Sequence, residues 1–198
     1  MPDRAGTDER LVDLIRSNSW MVSVLEAVRD EAVPHAWVGA GVLRDLVWGE
    51  LYGSGFSHHD VRDVDVAFFD PRDLSRFHDD RVTGRLRGRR PEVPWEATNQ
   101  AAVHTWYSGT FATAAVAPLT SIQDAVGTWP ETATAVAVRL GADDVVEVCA
   151  PLGTDDLLNG VWRHNPRRVS IEQSLARLQR HQPRTRWPRV TIVPPMSR

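Results

Sequence analysis

Asp63 and Asp65, in Asp63-Val64-Asp65-Val66, are the residues of this chain best spaced for chemistry. On a strand, residues two apart point to the same face, so the two carboxylates stand side by side while Val64 and Val66 bury the other face. Like charges this close repel, and a fold keeps both ionised only with something positive between them. A divalent cation meets that need, and Mg²⁺ binds through one or two carboxylates together with substrate phosphates. Upstream, Trp37-Val38-Gly39-Ala40-Gly41-Val42-Leu43-Arg44-Asp45 is a glycine turn running into a helix. Backbone N–H groups at such a turn approach an anion closely, and the positive end of the helix dipole favours one there. Arg44 adds a fork of donors suited to phosphate, and Asp45 stands where it can orient that arginine or cap the helix. Carboxylates for a cation beside a turn for phosphates point to chemistry on a nucleotide.

The elements that must hold these residues are legible from apolar spacing. Leu11, Leu14, Ile15, Met21, Val22, Leu25 and Val28 recur at three- and four-residue intervals, which predicts an amphipathic segment over 8–32, broken near 17–19 and ended by Pro34. A short strand over 35–38 feeds the glycine turn, and the helix after it carries Leu46, Val47 and Leu51 until Gly53-Ser54-Gly55. A polar loop with His58 and His59 leads to a strand over 63–69, and Pro71 is placed to open a short helix. Residues 81–94 hold Arg81, Arg85, Arg87, Arg89 and Arg90 with Pro91 and Pro94, and read as a solvated or ligand-facing loop. Then follow a strand over 95–98, a helix over 99–107, a capped helix over 120–126, and a hairpin of 135–140 with 145–149. Thr154 and Ser170 each cap a further helix, and the tail is rich in Pro and Arg. Without regular βαβ spacing, this order predicts an α/β (α+β) domain on a mixed sheet.

Length and composition narrow the classes. The chain has 198 residues, enough to bury a sizeable core in one domain spanning 1–198, with 165–198 as a C-terminal helix plus tail. Every one of its 23 Lys or Arg residues is arginine. A Walker-type P-loop is therefore excluded, and any polyphosphate contact falls to Arg or backbone N–H groups. A single cysteine, Cys149, rules out an intramolecular disulfide and the multi-cysteine zinc patterns. No apolar run approaches a membrane span and no apolar leader stands at the N-terminus, so a cytoplasmic location without membrane contact is expected. There is no G-x-S-x-G elbow. Cys149, beside Val148 and Ala150, reads as a buried strand residue. Adjacent His58 and His59 diverge in direction and have no second ligand pair, and the tryptophans read mainly as packing, with Trp129 also able to stack on a base.

The stretch Val38-Gly39-Ala40-Gly41-Val42-Leu43-Arg44-Asp45-Leu46-Val47-Trp48-Gly49 resembles the G-G-x-x-R-D-x-x-x-G element of the polymerase-beta-like nucleotidyltransferase superfamily, in the form found in tRNA CCA-adding and poly(A)-adding enzymes. Asp63-Val64-Asp65-Val66 is similar to its D-x-D strand. Thr98-Asn99-Gln100-Ala101-Ala102-Val103-His104, Trp129 to Val136 and Ala150 to Leu157 resemble a narrower bacterial nucleotidyltransferase group, formerly a domain of unknown function, over roughly residues 20–190. The resemblance implies a polymerase-beta-like fold and a single nucleotidyltransferase domain. It departs from the superfamily in having Gly39-Ala40-Gly41 where a Gly-Gly or Gly-Ser pair is usual, and in a longer loop between turn and aspartates.

What the resemblance implies chemically is transfer of a nucleotidyl group from an NTP to an acceptor oxygen with release of pyrophosphate. Asp63, Asp65 and a third acid would hold Mg²⁺ (or Mn²⁺). Glu96, on the strand after Asp65, suits that third position. Asp70 falls on the opposite side of its strand by strict alternation, and Glu147 reads as a solvent-facing strand residue. Gly39, Gly41 and Arg44 would hold the nucleotide's phosphates. Asn99, Gln100 and His104 form a polar cluster for base or acceptor, or a structural network; on one helix Gln100 and His104 would share a face. The acceptor class stays open between a small molecule, a protein and RNA, as does the oligomeric state. Two other readings use the same residues: a nucleotide-binding module without turnover that acts through a protein partner, and a metal-dependent phosphohydrolase.

Overall fold

The computed structural model describes the backbone of residues 4–110 and 117–195, with side chains from Asp8 to Trp106 and from 117 onward. A five-stranded mixed sheet lies at its centre in the order β3-β2-β1-β4-β5. The strands are β1 (Trp37–Gly39), β2 (Val64–Phe68), β3 (Trp95–Asn99), β4 (Ala137–Leu140) and β5 (Val146–Cys149). β1 pairs antiparallel with β2 and β4, β4 antiparallel with β5, and β2 parallel with β3. Helices flank the sheet, as the alternation of elements predicted.

One face carries the main core. Val64, Val66 and Phe68 of β2 pack there with Trp95 and Ala97 of β3 and with three helices: α1 (Arg4–Ser17), α2 (Ser19–Asp30) and α3 (Gly41–Tyr52). The expected break near 17–19 is real. Asn18 ends α1 and caps α2, its side chain accepting from the Met21 N–H. Helix α4 (Arg76–Arg89) covers the outer side of β3. This corrects the loop expected over 81–94. Its apolar face is only Val82 and Leu86, too sparse to register as a period, and the helix is completed by buried polar groups. Thr83 accepts from the Ala97 N–H and Asp79 from the Asn99 N–H, so α4 also satisfies the open edge of β3. Arg85 and Arg89 pair with Glu31, the C-cap residue of α2, instead of facing a ligand. Pro71 stands in a turn before α4 and opens no helix.

The opposite face holds a smaller cluster of Trp37, Ala67, Ala137 and Cys149, covered by α5 (Val103–Thr110) on one side and α6 (Ile122–Val126) on the other. Cys149 is a buried free thiol whose pKa burial pushes up. The C-terminal part adds α7 (Asp155–Leu158), β6 (Val161–Arg163), α8 (Ile171–His181), α9 (Pro183–Arg186) and β7 (Thr191–Val193). β6 and β7 form a parallel two-stranded sheet that no sequence signal announced. Ser170 caps α8 in a reciprocal capping box with Gln173. Thr154 stands at the start of α7, but its hydroxyl reaches Asp8 of α1 and leaves the α7 N–H groups alone. No helix among the described residues is long and apolar enough to cross a membrane.

Candidate active site

Parallel pairing of β2 with β3 sets Asp65 directly across from Glu96. Residues in register share a face, so both carboxylates leave the sheet together, on the side away from Val64 and Val66. Asp63 lies just ahead of β2, and all three acids line one cavity of about 360 Å³.

The glycine turn closes over the same cavity. Ala40 has φ 55° and ψ −120°, the conformation of the first central residue of a type II′ turn, where glycine is favoured. The Ala40 N–H donates to the Val136 carbonyl, and the Ala40 carbonyl accepts from the Arg44 N–H. Gly39 has no room for a side chain: a Cβ there would lie 2.7 Å from the Val136 carbonyl oxygen and 2.7 Å from the Trp129 ring. A Cβ on Gly41 would lie 3.6 Å from the nearest Asp63 carboxylate oxygen and 3.7 Å from Arg44 Nη2. Gly41 therefore stands between an acid and a guanidinium, and its N–H donates to Asp65.

Electrostatics inside the cavity are unbalanced. Burial, then the charges of Asp63 and Glu96, push Asp65 up to about 7, and the Gly41 N–H and Arg44 relieve this only in part. The donors are hard carboxylate oxygens. Among the described residues no group of three or more His, Cys, Asp or Glu side chains forms a metal cage by itself. Asp63, Asp65 and Glu96 would therefore bind a hard ion only together with phosphate oxygens and water, the manner in which Mg²⁺ binds beside substrate phosphates.

Arg44 is fixed rather than flexible. Its Nε and Nη2 both donate to one oxygen of Asp45, and its guanidinium centre lies 5.7 Å from the Trp162 ring and 5.2 Å from the Trp187 ring. The wall facing the acids comes from the C-terminal half. Trp129, Pro130 and Thr134 precede β4, and Arg177, Arg180 and His181 sit on α8 at i, i+3 and i+4, one face of the helix. Glu131, 1% exposed, takes Arg177 Nε at 2.7 Å and Nη2 at 3.0 Å. Burial, then Arg44 and Arg177, hold the His181 imidazole down to about 4, so it is neutral at neutral pH.

The structure brings Gly41, Arg44, Asp63, Asp65, Glu96 and Gln100 to this one cavity. Gly39, Asn99 and His104 lie outside its lining. Gly39 packs under Trp129. Asn99 is fully buried and spends its side chain on backbone, accepting from Asp70 and Ala101 N–H groups and donating to the Asp70 and Asp73 carbonyls. Gln100 opens a 3₁₀ turn while His104 belongs to α5, so the two do not share one helix. The alternative acids sit elsewhere: Arg72 holds Asp70 down to about 2, and Glu147 pairs with Arg139 at 2.6 Å. Arg177, Arg180 and His181 escaped the sequence reading. Their i, i+3, i+4 spacing on a recognised capped helix was the available signal, but such spacing also describes an ordinary solvated face.

A protein-family model described as nucleotidyltransferase matches residues 26–192. Among solved structures, an NMR structure described as revealing a CCA-adding enzyme head domain superposes with a TM-score of 0.77 at 28% identity, covering 94% of this chain and 96% of that one. A complex of a CCA-adding enzyme with CTP superposes with a TM-score of 0.54 at 14% identity, a likeness of fold alone, covering 94% of this chain and 43% of that one. No curated protein matches the sequence.

Proposed function

The chain belongs to the nucleotidyltransferase family, and on that basis we propose that its cavity transfers a nucleotidyl group from an NTP to an acceptor oxygen, with Mg²⁺ or Mn²⁺ held by Asp63, Asp65 and Glu96. The observation that carries this reading is the shared cavity of the Asp65–Glu96 pair, Asp63 and the Gly41 turn. The likeness to a CCA-adding enzyme head domain supports the same reaction class.

In this reading the chain's own residues position and neutralise. The α3 N-terminus and Arg44 receive the polyphosphate. Asp63, Asp65 and Glu96 would hold the divalent cation beside the α-phosphorus; the acceptor oxygen gives up its proton to water and attacks, and the bond to the pyrophosphate leaving group breaks as the new P–O bond forms. A divalent cation bound there would lower the acceptor's pKa and neutralise charge on the leaving group. The wall formed by Trp129, Pro130 and α8 limits solvent around the nucleotide.

The test is incubation with α-labelled NTPs, Mg²⁺ and a panel of small molecules, RNA and proteins. Label entering an acceptor together with pyrophosphate release, both lost in Asp65→Asn, is the expected result. Pyrophosphate release without an acceptor would assign a hydrolase instead, and NTP binding without release in any metal would assign a silent binding module.

A further inference from the structure

Arg44, Arg177 and Arg180 line one cavity with Asp63, Asp65 and Glu96, yet among the described residues no ion pair joins the two sets. Opposite charges that share a confined space normally pair. Here the partners are assigned elsewhere. Arg44 is tied to Asp45, and Arg177 to the buried Glu131, while Arg180 makes no ion pair or hydrogen bond among the described residues. A cavity whose acids and arginines share a lining without pairing fits a ligand that carries both a cation and several anionic groups.

We propose that helix α8 is the polyphosphate clamp of this site: Arg180 and Arg177 contact the phosphates beyond the reacting one, and Glu131 is the positioning residue that aims Arg177. This rests on the nucleotide reading above and adds to it a selection for the triphosphate over shorter chains. The Arg177–Glu131 fork is bidentate, which fixes the guanidinium plane and leaves Nη1 outside the pair. Thr134 Oγ1 lies 3.2 Å from Glu131 Oε2 and braces the same carboxylate. Glu131 itself is pinned by its loop: it bridges to His164, and Asn165 donates to the Gly127 and Trp129 carbonyls. The Trp129-Pro130-Glu131 stretch therefore has a reason to exist beyond packing. It lines the cavity with its first two residues and orients α8 with the third.

The experiment is calorimetric titration of inorganic tripolyphosphate, ATP and AMP, each with Mg²⁺, into the full chain and its Arg180→Gln variant. Arg180 is exposed, so this change leaves the fold intact, as a melting curve would verify. Losing one charge-assisted contact should weaken tripolyphosphate and ATP by about tenfold or more, while AMP stays within about twofold. Glu131→Gln should weaken ATP as well, and adding it to Arg177→Gln should cost nothing further, because both act through one guanidinium. Unchanged tripolyphosphate binding in Arg180→Gln, or an equal loss for AMP, overturns the clamp. If the wild type binds tripolyphosphate through Arg180 but transfers no label to any acceptor, the clamp stands and the transferase reading falls. A wild type that binds neither ATP nor tripolyphosphate sinks both.

Discussion

Asp45 takes Arg44 Nε at 3.0 Å and Nη2 at 2.7 Å on one oxygen, so the two chain neighbours form a side-on ion pair at the first turn of α3. The other Asp45 oxygen accepts from Arg186 Nη1 at 3.0 Å, which ties α9 to the same carboxylate. The side chains of Arg44 and Asp45 are only 6% and 8% exposed. The arginine that faces the cavity is thus aimed by a residue that does not line it.

Removing that carboxylate should be severe. Asp45→Ala leaves a buried guanidinium without its counter-charge, a loss of about 3–5 kcal/mol for breaking a buried pair. Asp45→Asn keeps one acceptor oxygen and should cost less. Urea unfolding of both variants checks the order, and ATP binding should fall in both because Arg44 loses its aim. Equal stability of Asp45→Ala and wild type would show that Trp162 and Trp187 alone hold Arg44.

Much of this arrangement was legible before the fold was known, for a physical reason. Alternation at Asp63–Val66 and the glycine turn are local signals, and the site's acid side is built from neighbouring strands that inherit them. Glu96 came from the resemblance, whose third acid falls on the strand after the D-x-D pair, and the register of β2 with β3 sets it opposite Asp65. The base side was hidden. Arg177 and Arg180 reach the cavity only because α8 folds back against Glu131 and Trp162, and on the helix alone they look like solvent-facing charges. β6 and β7 are three residues each and pair across a long gap in sequence, too short for periodicity to register. Helix α4 was missed because buried His78 and Asp79 supply much of its inward face, where an apolar stripe would have announced it.

Asp65 gives the site a pH signature. Its pKa in the fold is about 7 against an ordinary 3.8, so the folded state holds this proton where the unfolded chain has released it. The contribution to stability is full below the ordinary value and is lost as pH climbs through about 7. Asp65→Asn cannot titrate, so its stability relative to the metal-free wild type should improve between about pH 4 and about pH 7 and level off above that, while turnover disappears. Denaturation midpoints at several pH values measure this. An offset that does not change with pH would mean that Asp65 is ionised throughout. Added Mg²⁺ should stabilise the wild type more at pH 8 than at pH 5, since it competes with the proton.

Glu96 and Glu147 can be separated directly as the third acid. Glu96 is opposite Asp65 in register, whereas Glu147 faces Arg139 across β4 and β5. Glu96→Gln should lower kcat by ~100-fold or more, the order expected when a cation loses a ligand and with it several kcal/mol of charge stabilisation. Glu147→Gln should leave kcat within about twofold, since a half-exposed ion pair contributes at most ~1 kcal/mol, to stability alone. Steady-state rates with the acceptor found in the labelling screen decide it. A reversed order would move the third ligand to β5, away from the cavity.

The turn over the cavity carries a residue that its backbone does not favour. Ala40 at φ 55° and ψ −120° carries the strain of a II′ turn position that favours glycine, about 1 kcal/mol at the low end for a non-glycine residue there. Glycine would relieve it but loses ~0.5–1 kcal/mol of chain entropy on folding, so Ala40→Gly should fold with stability equal to or slightly above wild type. Gly39→Ala is the opposite case. Its Cβ would meet the Val136 carbonyl, a backbone atom in β4 that cannot rotate away, and the Trp129 ring that forms the cavity wall. Forcing these apart should cost 1–3 kcal/mol, on the order of overpacking in a core, and should weaken ATP binding by displacing Trp129. Thermal melting and ATP titration of the two single variants therefore rank as Ala40→Gly at or above wild type and Gly39→Ala below it in both measurements. A Gly39→Ala protein as stable and as tight as wild type would mean that β1 and β4 can separate at this point, and the turn would lose its claim to position the site.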